Sequence, residues 1–420
     1  MPSYTPPYKV LLSLIASAIA CISLYAQTKT IHSGEFTYDV IEDKDYLNFV
    51  YQLYDNDPGL GVYAANKFNP GDLKNYMYYV PDQMAVVNYL QGSKYLYIFS
   101  SITENVQALR VHVRADSMEL YVNAFVNSIL SHKTTNDTLR SVVRKKTLAT
   151  GSYRSSSAWL YKRLIEPVLP FIGSKKQWGI ATVNKLKKIP FAALAKNGDA
   201  AHALAEAHDL FLFSNYQSLS SVHRPFNGQL HVYANPDGSL PGADREATSI
   251  QQLFPSSATV YSGKHATIEQ LQQSLSTGPG IIHFATHGVI DFTKMEQSYL
   301  VMHSGKQDAA ALTFKSLAEM KKGRLNMIVL SACHSGVPAD DKYAFSPADL
   351  VSQAGAKTVV ASYWAVDDEA TALLMTSFYK HLLTLPKLEA LFTAMKELRK
   401  NEKYSHPYYW SAFYLVGQVL

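Results

Sequence analysis

The chain has 420 residues, of which 47% are hydrophobic and 17% charged, with a net charge of +5. That is enough apolar material for a large core and for two or three domains. The charge is too mild, and too scattered for a long basic run, to argue for nucleic acid as a partner.

The N-terminus carries Lys9, an apolar run from Val10 to Leu24, and then Tyr25-Ala26-Gln27. A positive start, a short apolar core and a small residue before a polar one predict a secretory signal, cleaved after Ala26. The run is short for a bilayer span of ~20 residues, which disfavours an uncleaved anchor. Ala18-Ile19-Ala20-Cys21 is a loose lipidation motif at Cys21, with Ala18 a poor fit. The expected address is therefore outside the cytoplasm. Cleavage would leave Cys333 as the one cysteine, without an internal disulfide partner. A lone thiol is either reactive or simply a small buried hydrophobe.

Residues 27–83 are polar and rich in tyrosine, with turn signals at Asp55-Asn56-Asp57-Pro58 and Asn69-Pro70-Gly71-Asp72. They read as a small helical or irregular lead-in of unknown role. Residues 84–157 read as a small α+β part. Tyr95 to Phe99 and Val106 to Val113 are predicted strands, Asp116 to Leu130 a helix, and Ser131 to Ser157 an exposed connection. Residues 158–420 form the main domain. Trp159 to Phe171 is predicted as a helix with Leu160, Leu164 and Val168 on one face. Short apolar runs follow at Trp178–Val183, Leu230–Ala234, Ile281–Ala285, Met327–Leu330 and Thr358–Ala361. Helical segments are expected around Ala200–Ala207, Asp244–Leu253, Thr267–Ser274, Phe314–Lys321 and Glu369–Leu382. Such alternation predicts an α/β fold with a mainly parallel sheet covered on both faces. The apolar tail from Tyr408 to Gly417 should add a final strand.

Two of these runs end in the same way. Leu325 to Gly336 reads LNMIVLSACHSG, and Ile281 to Gly288 reads IIHFATHG. Each is an apolar strand closing on small and polar residues and a glycine. Cys333 and His287 therefore both sit at strand ends, the edge where open parallel sheets handle ligands. A thiol beside an imidazole is a nucleophile with its base, because the thiolate is the attacking species. Backbone N–H groups at Gly288 and Cys333 could hold a developing oxyanion.

His287 precedes Cys333 by about 46 residues, close to the roughly 50 found in caspases. Together, His-Phe-Ala-Thr-His-Gly and Leu-Ser-Ala-Cys-x-x-Gly resemble the CHAT domain, a caspase-like peptidase family related to separase. Other stretches that carry the resemblance are Leu160-Tyr161-x-x-Leu164-Ile165-x-Pro167, Ile189 to Leu194, Leu240-Pro241-Gly242-Ala243-x-x-Glu246, Ala354 to Asp368, and His406 to Phe413. The resemblance implies a caspase-like sheet preceded by a small α+β region. It implies a cysteine endopeptidase with His287 as base and Cys333 as nucleophile, acting on a protein or peptide. Asp368 matches the acidic position that, in the separase branch, reads a basic residue before the scissile bond. Cleavage after Arg or Lys is implied accordingly. The alternative for Asp368 is a plain helix N-cap. The family's usual Pro-Asp-Gly is here Thr182-Val183-Asn184.

The alternative to an enzyme is a silent caspase-like interaction module of the same shape. No metal or cofactor is called for: His283 and His287 are four apart, but no His-Glu-x-x-His and no cysteine cluster accompany them. Neither a Gly-x-Ser-x-Gly elbow nor a phosphate-binding Gly-x-x-x-x-Gly-Lys is present.

Overall fold

The computed structural model describes residues 28–33, 36–41, 80–103, 105–133, 152–182, 184–213, 219, 228–278, 280–291, 297–305, 309–320, 325–332, 348, 351–352 and 355–419. Ala26 and Cys21, the expected cleavage and lipidation positions, lie outside them.

The first half runs β1 (Thr28–Ser33), β2 (Phe36–Ile41), β3 (Met84–Gln91), β4 (Leu96–Ile102), β5 (Asn105–Val111), α1 (Ala115–Leu130), α2 (Tyr153–Leu164), α3 (Leu169–Ile172), β6 (Gln177–Thr182) and β7 (Asp209–Leu212). The second continues with β8 (Leu230–Ala234), α4 (Pro241–Leu253), β9 (Ala258–Ser262), α5 (Ile268–Thr277), β10 (Ile281–Ala285), β11 (Gly288–Val289), β12 (Tyr299–His303), β13 (Ala309–Thr313) and α6 (Phe314–Glu319). It closes with β14 (Met327–Ser331), β15 (Thr358–Ser362), α7 (Asp368–Leu382), α8 (Lys387–Lys400), α9 (Pro407–Trp410) and β16 (Phe413–Gly417).

Among the described residues, 13 strands form one sheet in the order β1-β2-β5-β4-β3-β6-β7-β16-β15-β14-β10-β8-β9. Pairing is antiparallel from β1 to β3, parallel through β3, β6, β7 and β16, antiparallel between β16 and β15, and parallel from β15 to β9. Every residue of β8, β10, β14, β15 and β16 is buried. This is why these strands read as continuous apolar runs and not as alternations. Side-chain alternation identifies what covers each face. The Tyr233 hydroxyl reaches Ser274 and Gln270 of α5, whereas His283 meets Tyr379 of α7 on the opposite face. The protein is thus α/β with a mostly parallel sheet, and antiparallel strands lead it at the N-terminal side.

Several expectations change. Two segments of the lead-in are strands that pair into the sheet, β1 with β2 and β2 with β5. The helix expected over Trp159–Phe171 starts earlier and stops at Leu164, because Pro167 lacks an N–H and clashes with the preceding turn. The connection expected up to Ser157 is already helical from Tyr153, with Ser156 and Ser157 fully buried. Ala200–Ala207 is not an α-helix but two 3₁₀ turns, Ala200–His202 and Leu204–Glu206. Ala203 between them is extended and bridges Ala195, and Leu204 N donates to Leu194 O. A second, three-stranded sheet, β11-β12-β13, was not foreseen.

Candidate active site

β10 and β14 are parallel neighbours in the register Ile281↔Met327 through Ala285↔Ser331. The chain leading to His287 and the chain leading to Cys333 therefore leave the sheet side by side, about 5 Å apart. Cys333 itself lies outside the described residues, which reach Ala332 on this strand. The approach to it is held firmly. Ser331 Oγ donates to the buried Glu246, and Ser362 Oγ donates to Ala332 O at 2.7 Å.

His287 is fixed from two sides. Its carbonyl accepts from Val301 N of β12, and the neighbouring Thr286 hydroxyl donates to Val301 O. Gly288 opens β11 opposite Leu300 of β12. On the side of the ring, the loop after β8 supplies Ser239, whose Oγ lies 2.7 Å from His287 Nε2. Asp237 accepts from both Oγ and N of Ser239 and stands 4.0 Å from His287 Nε2. Burial works to raise the Asp237 carboxyl. Hydrogen bonds from Ser239 and the charge of His287 outweigh that and hold it below the ordinary carboxylate range. The loop is set by Asn235, which adopts φ +47, donates to Ala285 O through its N–H and accepts from Leu240 N.

Asp368 is the first residue of α7, yet the cap of that helix is Asp367, whose side chain accepts from Ala370 N. The plain N-cap alternative thus falls on the neighbour. Asp368 instead takes the N–H of Gly242 at the start of α4, 2.5 Å away. A Cβ on residue 242 would lie 2.3 Å from this carboxylate, so the approach needs glycine there.

Below the strand ends, Glu246 is 2% exposed and His283 fully buried. His283 Nε2 lies 2.8 Å from Glu246 Oε1, out of line for a hydrogen bond, and His283 Nδ1 meets the Tyr379 hydroxyl at 3.0 Å. Burial, and then the Glu246 charge, push that hydroxyl far above its usual range. His283 thus serves the core under the site. His287, Ser331, Ala332, Glu246, Trp364 and Asp368 line a recess of about 60 Å³, and no Lys or Arg is among its described lining residues.

The sequence reading missed Asp237 and Ser239. The only local signal was the Asp-Gly-Ser turn directly after a strand, and its meaning depends on β8 lying beside β10.

Comparison with known proteins agrees with this geometry. The human tetratricopeptide repeat protein 28 is 26% identical over 59% of the chain, and the mouse protein is 28% identical over 43%. The chain spans only 12% and 9% of the lengths of these two relatives. The Saccharomyces cerevisiae separase–securin complex is a structural neighbour, with a TM-score of 0.52 and 10% identity, covering 83% of this chain and 30% of that one. Its likeness gives the fold a caspase-like sheet. The profile described as the CHAT domain matches residues 154–418, more than half of the sequence, and the protein belongs to that family.

Proposed function

We propose that the protein is a cysteine endopeptidase in which Cys333 attacks a peptide carbonyl and His287 is its base. The observation that carries this reading is the parallel register Ala285↔Ser331, which sets the two strand exits against each other. His287 takes the Cys333 proton, and the thiolate adds to the carbonyl carbon. Collapse of the adduct expels the amine, which receives the proton from His287. Water then hydrolyses the thioester and returns the enzyme. Backbone N–H groups at Gly288 and Cys333 would steady the oxyanion. The recess, lined by Asp368 and Glu246 with no Lys or Arg among its described residues, suits a basic residue before the scissile bond.

The test is covalent labelling of the full chain with an Arg-containing peptidyl ketone that alkylates active-site thiols. Labelling at Cys333 should be abolished in Cys333→Ala and fall at least tenfold in His287→Ala. Equal labelling in the wild type and in His287→Ala would leave a fold without turnover, an interaction module.

A further inference from the structure

We propose that Asp237, acting through Ser239, is a positioning pair that keeps His287 protonated at Nε2 and presents Nδ1 as the base to the thiol. The inference rests on the dyad reading and adds to it. Hydrogen inventory decides the direction. A serine hydroxyl owns one hydrogen. Ser239 spends it on Asp237 Oδ1, 2.8 Å away. The 2.7 Å contact between Ser239 Oγ and His287 Nε2 must then be donated by the ring. With Nε2 carrying the hydrogen, the lone pair of the neutral imidazole is on Nδ1. That nitrogen has no hydrogen-bond partner among the described residues.

The charge of Asp237 adds a second effect. Its carboxylate is 4.0 Å from Nε2, so it favours the ring once the ring accepts a second proton at Nδ1. Among the described residues, the remaining charged groups facing the recess are Glu246 from α4 and Asp368 from α7. Glu246 is committed to Ser331, with His283 beside it, and Asp368 to Gly242. Among the described residues, Ser239 is therefore the side chain hydrogen-bonded to the ring, with Asp237 behind it. The His287 and Asp237 side chains are 38% and 34% exposed, so the effect should be moderate.

The experiment is alkylation of the full-length protein by iodoacetamide between pH 5.5 and 9.5, read by mass spectrometry on the peptide containing Cys333. Sulfur bonds carbon, iodide leaves, and the thiol proton has already passed to His287 or to water. An isolated thiol with its midpoint near ~8.5 should lose roughly two-hundred-fold in rate between pH 9 and pH 6. The wild type should lose far less, and His287→Ala should restore the steep fall. Asp237→Asn keeps an acceptor for Ser239 and removes the charge. It should lower the pH 6 rate roughly fivefold while changing the pH 9 rate less than twofold. Ser239→Ala should do the same, and Ser239→Thr should restore the wild-type profile.

If low-pH reactivity is lost in His287→Ala but unmoved in Asp237→Asn and Ser239→Ala, the positioning pair is overturned and the dyad stands. A uniform fall at every pH also overturns it, because that is what a purely structural role would give. A wild-type profile that follows an isolated thiol, unchanged in His287→Ala, overturns both.

Discussion

Two roles compete for the carboxylate of Asp368. It ties α7 to α4 by accepting the Gly242 N–H, and it faces the recess beside His287. Asp368→Asn separates them, because asparagine still offers an oxygen to Gly242 but no charge. If the carboxylate reads a basic side chain, kcat/KM should fall about 10- to 100-fold for peptides with Arg before the cleaved bond. Peptides with an uncharged residue there should change little, and the urea midpoint should hold. An equal fall for both peptide classes would assign Asp368 to the helix junction alone. The same scale shows how far the sequence could be read. The strand end that carries His287 and Gly288 was legible from local grammar, whereas Asp368 came from the family resemblance alone. The Ser331–Glu246 hydrogen bond, with His283 beside Glu246, was not, because Glu246 reaches His283 from across 37 residues of chain through the packing of α4 on the sheet.

At the scale of elements, the strands buried on both faces announced themselves. β8 and β10 fell where the apolar runs predicted, and β14 and β15 within one residue. β9 escaped because it is an edge strand, Ala-Thr-Val-Tyr-Ser, with no residue fully buried. β7 escaped because it is four residues long and begins with Asp209. Ala200–Ala207 had the composition of a helix, but tertiary pairing of Ala203 with Ala195 outweighed a weak local preference.

One short element has a pH dependence. His406 caps α9 by accepting from Tyr408 N through Nδ1, and its ring stacks on His132, just beyond α1, at 3.8 Å. Burial, and then His132, lower it to about 4. Between about 4 and 6.5 the unfolded chain therefore binds the proton that the folded chain refuses. Stability is whole above that window and is lost as pH falls through it. Allowing for solvent screening, the loss should be about 2 kcal/mol by pH 4. His406→Asn keeps a capping oxygen and cannot titrate, so urea midpoints at pH 4.5 and 7 should differ less in the variant than in the wild type. Identical pH slopes would remove the His132–His406 stack from the account.

At the scale of the whole molecule, the sheet does not stop where the family profile does. The profile begins at residue 154, while β3, β4, β5 and α1 lie before it and complete the sheet beyond β6. β3 pairs with β6 over six residues, Met84↔Gln177 to Tyr89↔Thr182. The Tyr89 hydroxyl donates to Leu164 O, and its ring stacks on Phe191. All of β3 except its last residue is buried. Removing it would expose Trp178 and Ile180, both now almost fully buried, along with an unpaired strand edge in the middle of the fold. A fragment of residues 152–420 should therefore aggregate, whereas residues 80–420, which keep β3 to β5 and α1, should elute as one species and melt cooperatively. β16 meets β7 through the pair Val416↔Leu212, so the damage should reach the strands that carry His287 through β16, β15 and β14. Size-exclusion chromatography and thermal unfolding of the two fragments decide the matter. A well-folded 152–420 fragment that still reacts with the peptidyl ketone would mean that the CHAT portion stands without the strands before it.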